Sequence, residues 1–192
     1  EKGTLTCIIG KGDEVTAVRH MSLCFYHDLS VKRGLRGVFI SLDLPCESMA
    51  RLYCLDVLGS FGGSFNIVDQ VHFDPLTVTT LRDLVQHAGI DFLVLDGIHQ
   101  LRDYKKFNSQ CWLDAIRDLA GDNESDGLIV IATALEAYPS GPGGGRRTGR
   151  PVKLFGLKEW EMHSRYCFRI GEFDADDWSF VLDVKDGHRW RN

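Results

Sequence analysis

The residues of this chain whose types and spacing could do chemistry fall in a few short segments. Gly10-Lys11-Gly12 ends an apolar run, and glycines there let backbone amides approach an anion while Lys11 offers a cation. Asp13 and Glu14 come next and would repel that anion, and Thr16 follows with a hydroxyl. Asp43 and Asp96 each close an apolar run, where a single carboxylate can ligate a hard cation or take a proton from water. Arg146, Arg147 and Arg150 lie in the Gly- and Pro-rich stretch YPSGPGGGRRTGR from Tyr138 to Arg150, a tether that lets cations meet phosphates without sequence preference. Lys185 and Arg189 flank Asp186-Gly187 near the end of the sequence.

Other groups point to less. The 7 histidines (His20, His27, His72, His87, His99, His163 and His188) fall on different elements without a His-x-x-x-His pair, which argues against a metal centre. His99, close to Asp96, is the one expected to share its crevice. The 6 cysteines (Cys7, Cys24, Cys46, Cys54, Cys111 and Cys167) are widely spaced with no Cys-x-x-Cys pair, and read as buried, reduced thiols of a cytoplasmic protein. Asp174-Ala-Asp-Asp177 lacks the spacing of a calcium loop and reads as a solvated hairpin tip. Trp160, Trp178 and Trp190 suit either a core or a contact surface.

The elements that must position these groups alternate. Thr4 to Ile9 reads as a buried strand ending at Gly10, and Val15, Val18, Ser22, Phe25 and Leu29 then recur at helical spacing. Val38 to Leu42 is a second strand, followed by a helix from Pro45 with Met49, Leu52, Tyr53 and Val57 on one face, stopped at Gly59. Asp74-Pro75 caps a third helix with Val78, Leu81, Val85 and Ala88 on one side, before Gly89 and a strand from Asp91 to Asp96. Ser109 to Ala120 is helical, and Leu128 to Ala132 is apolar on both faces, as a central parallel strand requires. Arg165 to Ile170 and Ser179 to Val184 alternate and predict an antiparallel hairpin at the far edge of the sheet. The expectation is an α/β domain whose ligand crevice lies beyond the carboxyl ends of its strands, bordered by Gly10 to Ala17, Ser41 to Pro45, Asp96 to Gln100 and Thr133 to Glu136.

Composition agrees with a folded α/β chain. With 192 residues, 44% hydrophobic and 26% charged, the sequence suits one domain rather than a disordered tail or a disulfide scaffold. No apolar run approaches the roughly 20 residues of a membrane span. A formal charge of −5 confines any nucleic-acid contact to local basic patches. The opening Glu1-Lys2-Gly3-Thr4 leads straight into a strand, which reads as a piece of a longer chain.

Strand, Gly-Lys-Gly turn, helix, and later an apolar strand ending in Asp: this order resembles the P-loop nucleotide-binding architecture, and more closely the RecA-like motor domain of DnaB-type replicative helicases. The resemblance spans nearly the whole sequence and is carried by Gly3 to Gly10, Val38 to Pro45, Phe92 to Asp96 with Gln100-Leu101, Ile129 to Ala132, and Arg150-Pro151-Val152. It implies a RecA-like P-loop NTPase fold with a mostly parallel sheet flanked by helices. It also implies ATP and Mg²⁺ as ligands, related motor subunits or other replication proteins as partners, and single-stranded DNA in a ring channel. On the matching positions, Gly10, Lys11, Gly12 and Thr16 would face the nucleotide, and Asp96 would help hold Mg²⁺ through water. Asp43 would activate the attacking water, Arg146, Arg147 and Arg150 would touch DNA, and Lys185 with Arg189 would reach a neighbouring subunit's ATP.

The departures are concentrated where phosphate would bind. A Walker A loop reads G-x-x-x-x-G-K-[ST]; laid on Gly10, its second Gly is Val15, its Lys is Thr16 and its Mg²⁺-binding hydroxyl is Ala17. A cation lost from about 4 Å of a phosphate forfeits roughly 4 kcal/mol at an effective dielectric of 20. Asp43 is one methylene shorter than the family's glutamate, Gly187 replaces the arginine of its K-x-R-x-G segment, and Thr133-Ala134 stands where it continues with Ser-Gln. The expectation is a module that does not hydrolyse ATP, needs no cofactor and works by binding. The other reading is a weak or partner-completed ATPase that uses Lys11 with Thr16, Asp96, Asp43 and Mg²⁺. Each residue also has a plain role open to it: Lys11 as an exposed turn residue, Asp43 and Asp96 as strand-end caps, and Lys185 and Arg189 as solvated charges beside a turn at Asp186-Gly187. The arginine loop likewise suits an ordinary surface connection.

Overall fold

The structure is a computed structural model that describes residues 3–10, 15–42, 44–45, 47–49, 67–69, 75–98, 109–121, 127–135, 160, 162–174, 179–186 and 189–191. The strands are β1 (Thr4–Gly10), β2 (Gly37–Ser41), β3 (Ile67–Asp69), β4 (Phe92–Asp96), β5 (Ile129–Leu135), β6 (Tyr166–Asp174), β7 (Ser179–Asp186) and β8 (Arg189–Arg191). The helices are α1 (Val15–His27), α2 (Pro75–Ala88) and α3 (Ser109–Ala120). One 8-stranded sheet has the order β3-β2-β4-β5-β1-β6-β7-β8. From β3 to β6 all neighbours pair parallel, and β7 and β8 each pair antiparallel to the preceding strand.

Because side chains alternate across a strand, each central strand feeds two cores. Leu5, Cys7, Ile9, Leu93, Leu95, Val130, Ala132 and Ala134 join Val85 of α2 and Leu113, Ile116 and Leu119 of α3 on one face. Ile8, Phe39, Phe92, Val94 and Ile131 join Ala17, Val18, Leu23 and Tyr26 of α1 on the other. This three-layer arrangement is why β4 and β5 read as continuous apolar runs rather than as alternating ones. Two contacts lock α1 to the sheet. The Tyr26 hydroxyl donates to the Gly37 carbonyl at 3.0 Å, and the Tyr26 ring meets Phe92 edge-on at 5.0 Å between centroids. Gly37 pairs with Phe92 in the parallel register, and a Cβ on Gly37 would fall inside the Phe92 ring.

Several elements differ from expectation, each for a local reason. β2 ends one residue early, because the Ser41 hydroxyl accepts from Leu44 N–H at 3.1 Å and donates to its carbonyl at 2.6 Å, turning the chain. β5 begins at Ile129 and runs on to Leu135, since β1 pairs along its whole length and ends with Gly10 beside Leu135. α1 stops at His27 and passes into a π-helical turn, Asp28–Lys32, whose Asp28 carboxylate meets Lys32 Nζ at 3.1 Å and Arg33 Nε at 3.4 Å. β6 extends through the acidic segment to Asp174, with an irregularity in pairing between Ile170 and Phe173. β3 and β8, each 3 residues long, were not expected; β8 pairs antiparallel with β7, with Asp186 opposite Arg189. Cys7 and Cys167 are buried as read, but Cys24 is exposed, because it lies on the solvent side of α1. Trp160 belongs to the α2–α3 core. The helix expected from Pro45 to Gly59 lies mostly outside the described residues, with 47–49 helical. No helix among the described residues is long and apolar enough to cross a membrane.

Candidate functional site

The carboxyl ends of β1, β2, β4 and β5 meet at one edge of the sheet, and a buried polar cluster lies there. In β4, Phe92 and Val94 face α1, so the alternation carries Asp96 to the same face. In β5, Ile131 faces α1, and so does Thr133. Leu95 pairs with Ala132, which places Asp96 and Thr133 side by side one step further along. From the helix, Arg19 comes down onto both. The residue lies on the face of α1 that also carries Ser22, Leu23 and Tyr26, and all of these are buried.

The geometry is tight. Arg19 Nε donates to Asp96 Oδ2 at 3.0 Å. The Thr133 hydroxyl donates to Asp96 Oδ1 at 2.7 Å, and Gly97 N–H donates to Thr133 Oγ1 at 2.8 Å. Gly97 has φ of 89°, a left-handed conformation that turns its amide back toward Thr133. Asp96 is 1% exposed and Arg19 6%. Burial pushes the Asp96 carboxyl above its ordinary range, and the Arg19 guanidinium and the Thr133 hydroxyl pull it back in part. A carboxylate has about four lone-pair positions, so two donors do not exhaust it. At 1% exposure, little of the remainder meets bulk solvent.

The positions expected from the sequence divide into three groups. Gly10 ends β1, buried, and Thr16 stands exposed in the first turn of α1, followed by Ala17 at 1% exposure. Asp96 ends β4, which β5 separates from β1 in the sheet. Asp43 lies outside the described residues, but its neighbour Leu42 donates its N–H to the Asp96 carbonyl at 2.8 Å, so the end of β2 borders the same cluster. Lys185 in β7 pairs with Trp190 in β8, and Arg189 pairs with Asp186, which sets both basic residues beyond β5, β1 and β6 from β4. Lys11, Gly12, His99, Arg146, Arg147 and Arg150 lie outside the described residues. Arg19 was missed by sequence reasoning, and Thr133 was read as bordering the crevice and as departing from the family's Ser-Gln, not as a partner of Asp96. The signal for Arg19 was its place three and four residues before Ser22 and Leu23, on the apolar side of α1.

Mg²⁺, which the resemblance expects at Asp96, does not fit the described residues. Arg19 takes Asp96 Oδ2, Thr133 takes Oδ1, and Ala17 supplies no oxygen at the position the resemblance gives to a hydroxyl ligand.

No family model matches the chain, and no curated protein matches it. Among solved structures, the KaiC-like protein of the hyperthermophilic archaeon Pyrococcus horikoshii OT3 is similar, with a TM-score of 0.59 and 15% identity, over 98% of this chain and 84% of that one. At that identity the likeness is one of fold. The chain has a RecA-like α/β fold, with a mostly parallel sheet and an antiparallel C-terminal edge.

Proposed function

We propose that this chain is a RecA-fold module akin to DnaB-type helicase motors that acts in DNA replication or repair by binding and assembly, without hydrolysing ATP. One observation carries the reading. At the turn from β1 into α1, where a motor of this fold grips phosphate, the helix opens with Thr16 in solvent and Ala17 in the core. Thr16 stands at the position where the resemblance puts the phosphate-binding lysine, and Ala17 at that of the metal-binding hydroxyl. The missing cation is worth roughly 4 kcal/mol to a phosphate at about 4 Å, and Asp13 and Glu14 in the same turn add negative charge. Asp96, the carboxylate best placed for a catalytic role, is engaged inside the protein.

The fold persists under this reading because its strands and helices serve the two cores, which need no nucleotide. Partners would be related motor subunits or other replication proteins, which Lys185 and Arg189 on the C-terminal strands would serve as basic groups. Arg146, Arg147 and Arg150 would supply sequence-independent contact with single-stranded DNA. The test is a nucleotide titration of the purified chain together with a phosphate-release assay. The expected result is no ATP·Mg²⁺ binding in the micromolar range and no release. Binding abolished by Lys11→Ala, or steady release of phosphate, would overturn the reading in favour of a weak or partner-completed ATPase.

A further inference from the structure

We propose that Cys7 and Cys167 are a redox pair: two reduced thiols, set side by side on neighbouring strands, that a low-molecular-weight disulfide oxidises to a reversible bond between β1 and β6.

Register brings the two together. β1 and β6 run parallel, and Cys7 stands directly opposite Cys167. Residues opposite each other in a sheet send their side chains to the same face, and both cysteines belong to the core cluster that holds Leu5, Ile9 and Trp160. Both are free thiols at 0% exposure. Neighbouring strands lie about 4.8 Å apart, inside the window of about 4.4–6.8 Å between Cα atoms that a disulfide spans. In a parallel pair the Cβ atoms keep roughly the strand spacing, slightly wider than the about 3.5–4.5 Å a relaxed disulfide prefers. The bond would therefore carry strain and be easy to reduce, which makes it a reversible staple rather than a permanent one. The fold favours closure all the same, because the two cysteines lie near opposite ends of the sequence and only folding holds them together. In the chemistry, one cysteine thiolate attacks a sulfur of the oxidant and expels a thiolate; the second cysteine thiolate then attacks the mixed disulfide and expels the other half. One S–S bond breaks in the oxidant and one forms in the protein, two electrons pass to the oxidant, and the two thiol protons end on the released thiols. Because both cysteines are buried, the oxidant reaches them only when the seam between β1 and β6 opens, so exchange is slow in the folded chain.

The experiment equilibrates the whole wild-type chain in glutathione buffers of rising oxidised share, once in native buffer after refolding and once in concentrated urea. Samples are quenched in acid, and the linked peptides are mapped by mass spectrometry without reduction. The expected product in native buffer is a Cys7–Cys167 peptide pair lacking two hydrogens, reopened by excess reduced glutathione. Its equilibrium constant of closure is expected to be at least about tenfold larger in native buffer than in urea. By linkage, the oxidised chain should then unfold at higher urea than the reduced one. With Cys167→Ala, Cys7 is expected to form no intramolecular bond in native buffer; if that variant does not fold, the comparison of wild type in native buffer and in urea decides alone. Closure no more favourable in native buffer than in urea overturns the proposal. So does absence of the linked peptide at the highest oxidised share, pairing of Cys7 with another cysteine, or accumulation of single glutathione adducts in place of closure. Phosphate release by the chain would sink the proposed function and leave this pair standing.

Discussion

Arg19 Nε and Asp96 Oδ2 lie 3.0 Å apart, joining the first helix to the fourth strand inside a three-layer fold. The pair ties α1 to β4, and Thr133 extends the tie to β5. Buried pairs of this kind add little over apolar packing, yet breaking one by removing a single partner strands the other. Arg19→Ala is therefore expected to lower stability by about 3–5 kcal/mol, measured by urea unfolding. Arg19→Met/Asp96→Leu, which removes both charges and keeps the volume, is expected to recover most of that loss.

Asp96 also sets a pH dependence. Its carboxyl is raised above the ordinary 3.8 by burial, against the pull of Arg19 and Thr133. The folded chain thus holds this proton to higher pH than the unfolded chain, so the contribution of Asp96 is full at low pH and is lost as the pH rises through the folded value. Asp96→Asn cannot ionise. The stability of wild type minus that of the variant is expected to fall as the pH rises above 3.8, in paired denaturation curves.

Gly37 is the backbone position beneath the Phe92 ring. Phe92 is fully buried between Tyr26 and the sheet, so the ring cannot swing away from a new methyl group. Gly37→Ala is expected to cost about 1–3 kcal/mol through overpacking. Gly37→Ala/Phe92→Leu should cost less than the sum of its single changes, which a double-mutant cycle of unfolding free energies would detect.

Thiol chemistry should separate the described cysteines. Cys24 is exposed on α1, whereas Cys7 and Cys167 sit fully buried in adjoining positions of β1 and β6. In the native protein a maleimide is expected to label Cys24 well before Cys7 and Cys167, with peptide mapping by mass spectrometry as the readout. The Cys24 thiol is held above its ordinary 9.0 by partial desolvation, offset in part by Lys32, so its labelling should be slow near neutral pH and quicken as the pH rises.

If Arg146, Arg147 and Arg150 contact single-stranded DNA, binding should be weak and strongly salt-dependent. Neutralising three phosphates predicts a slope of about −2 in log affinity against log salt. Fluorescence anisotropy with a labelled oligonucleotide is expected to give that slope, with little difference between base compositions. Arg146→Ala/Arg147→Ala should bring it close to −0.7, the value of about one remaining contact.

Much of the architecture was legible along the chain. Apolar runs of strand length separated by Gly and Pro predict alternating strands and helices, and α2 and α3 lie within the expected bounds, from Pro75 to Ala88 and from Ser109 to Ala120. The reason is local: Pro fits only the first turn, and Gly89 takes the left-handed φ of 65° that ends α2. The strands β3 and β8 were not legible, because three residues carry no pattern of their own and owe their form to the strands beside them.

The sequence by itself determined the RecA-like order of elements and that Thr16 and Ala17 open the first helix, since both are matters of residue type at a position. Only the tertiary structure decided what Asp96 faces. Strand alternation sends its carboxylate toward α1, and the docking of that helix brings in Arg19, a residue that reads in one dimension as a charge bound for solvent. Which counter-ion meets a buried carboxylate depends on distances between elements far apart along the chain, and those exist only once the layers have packed.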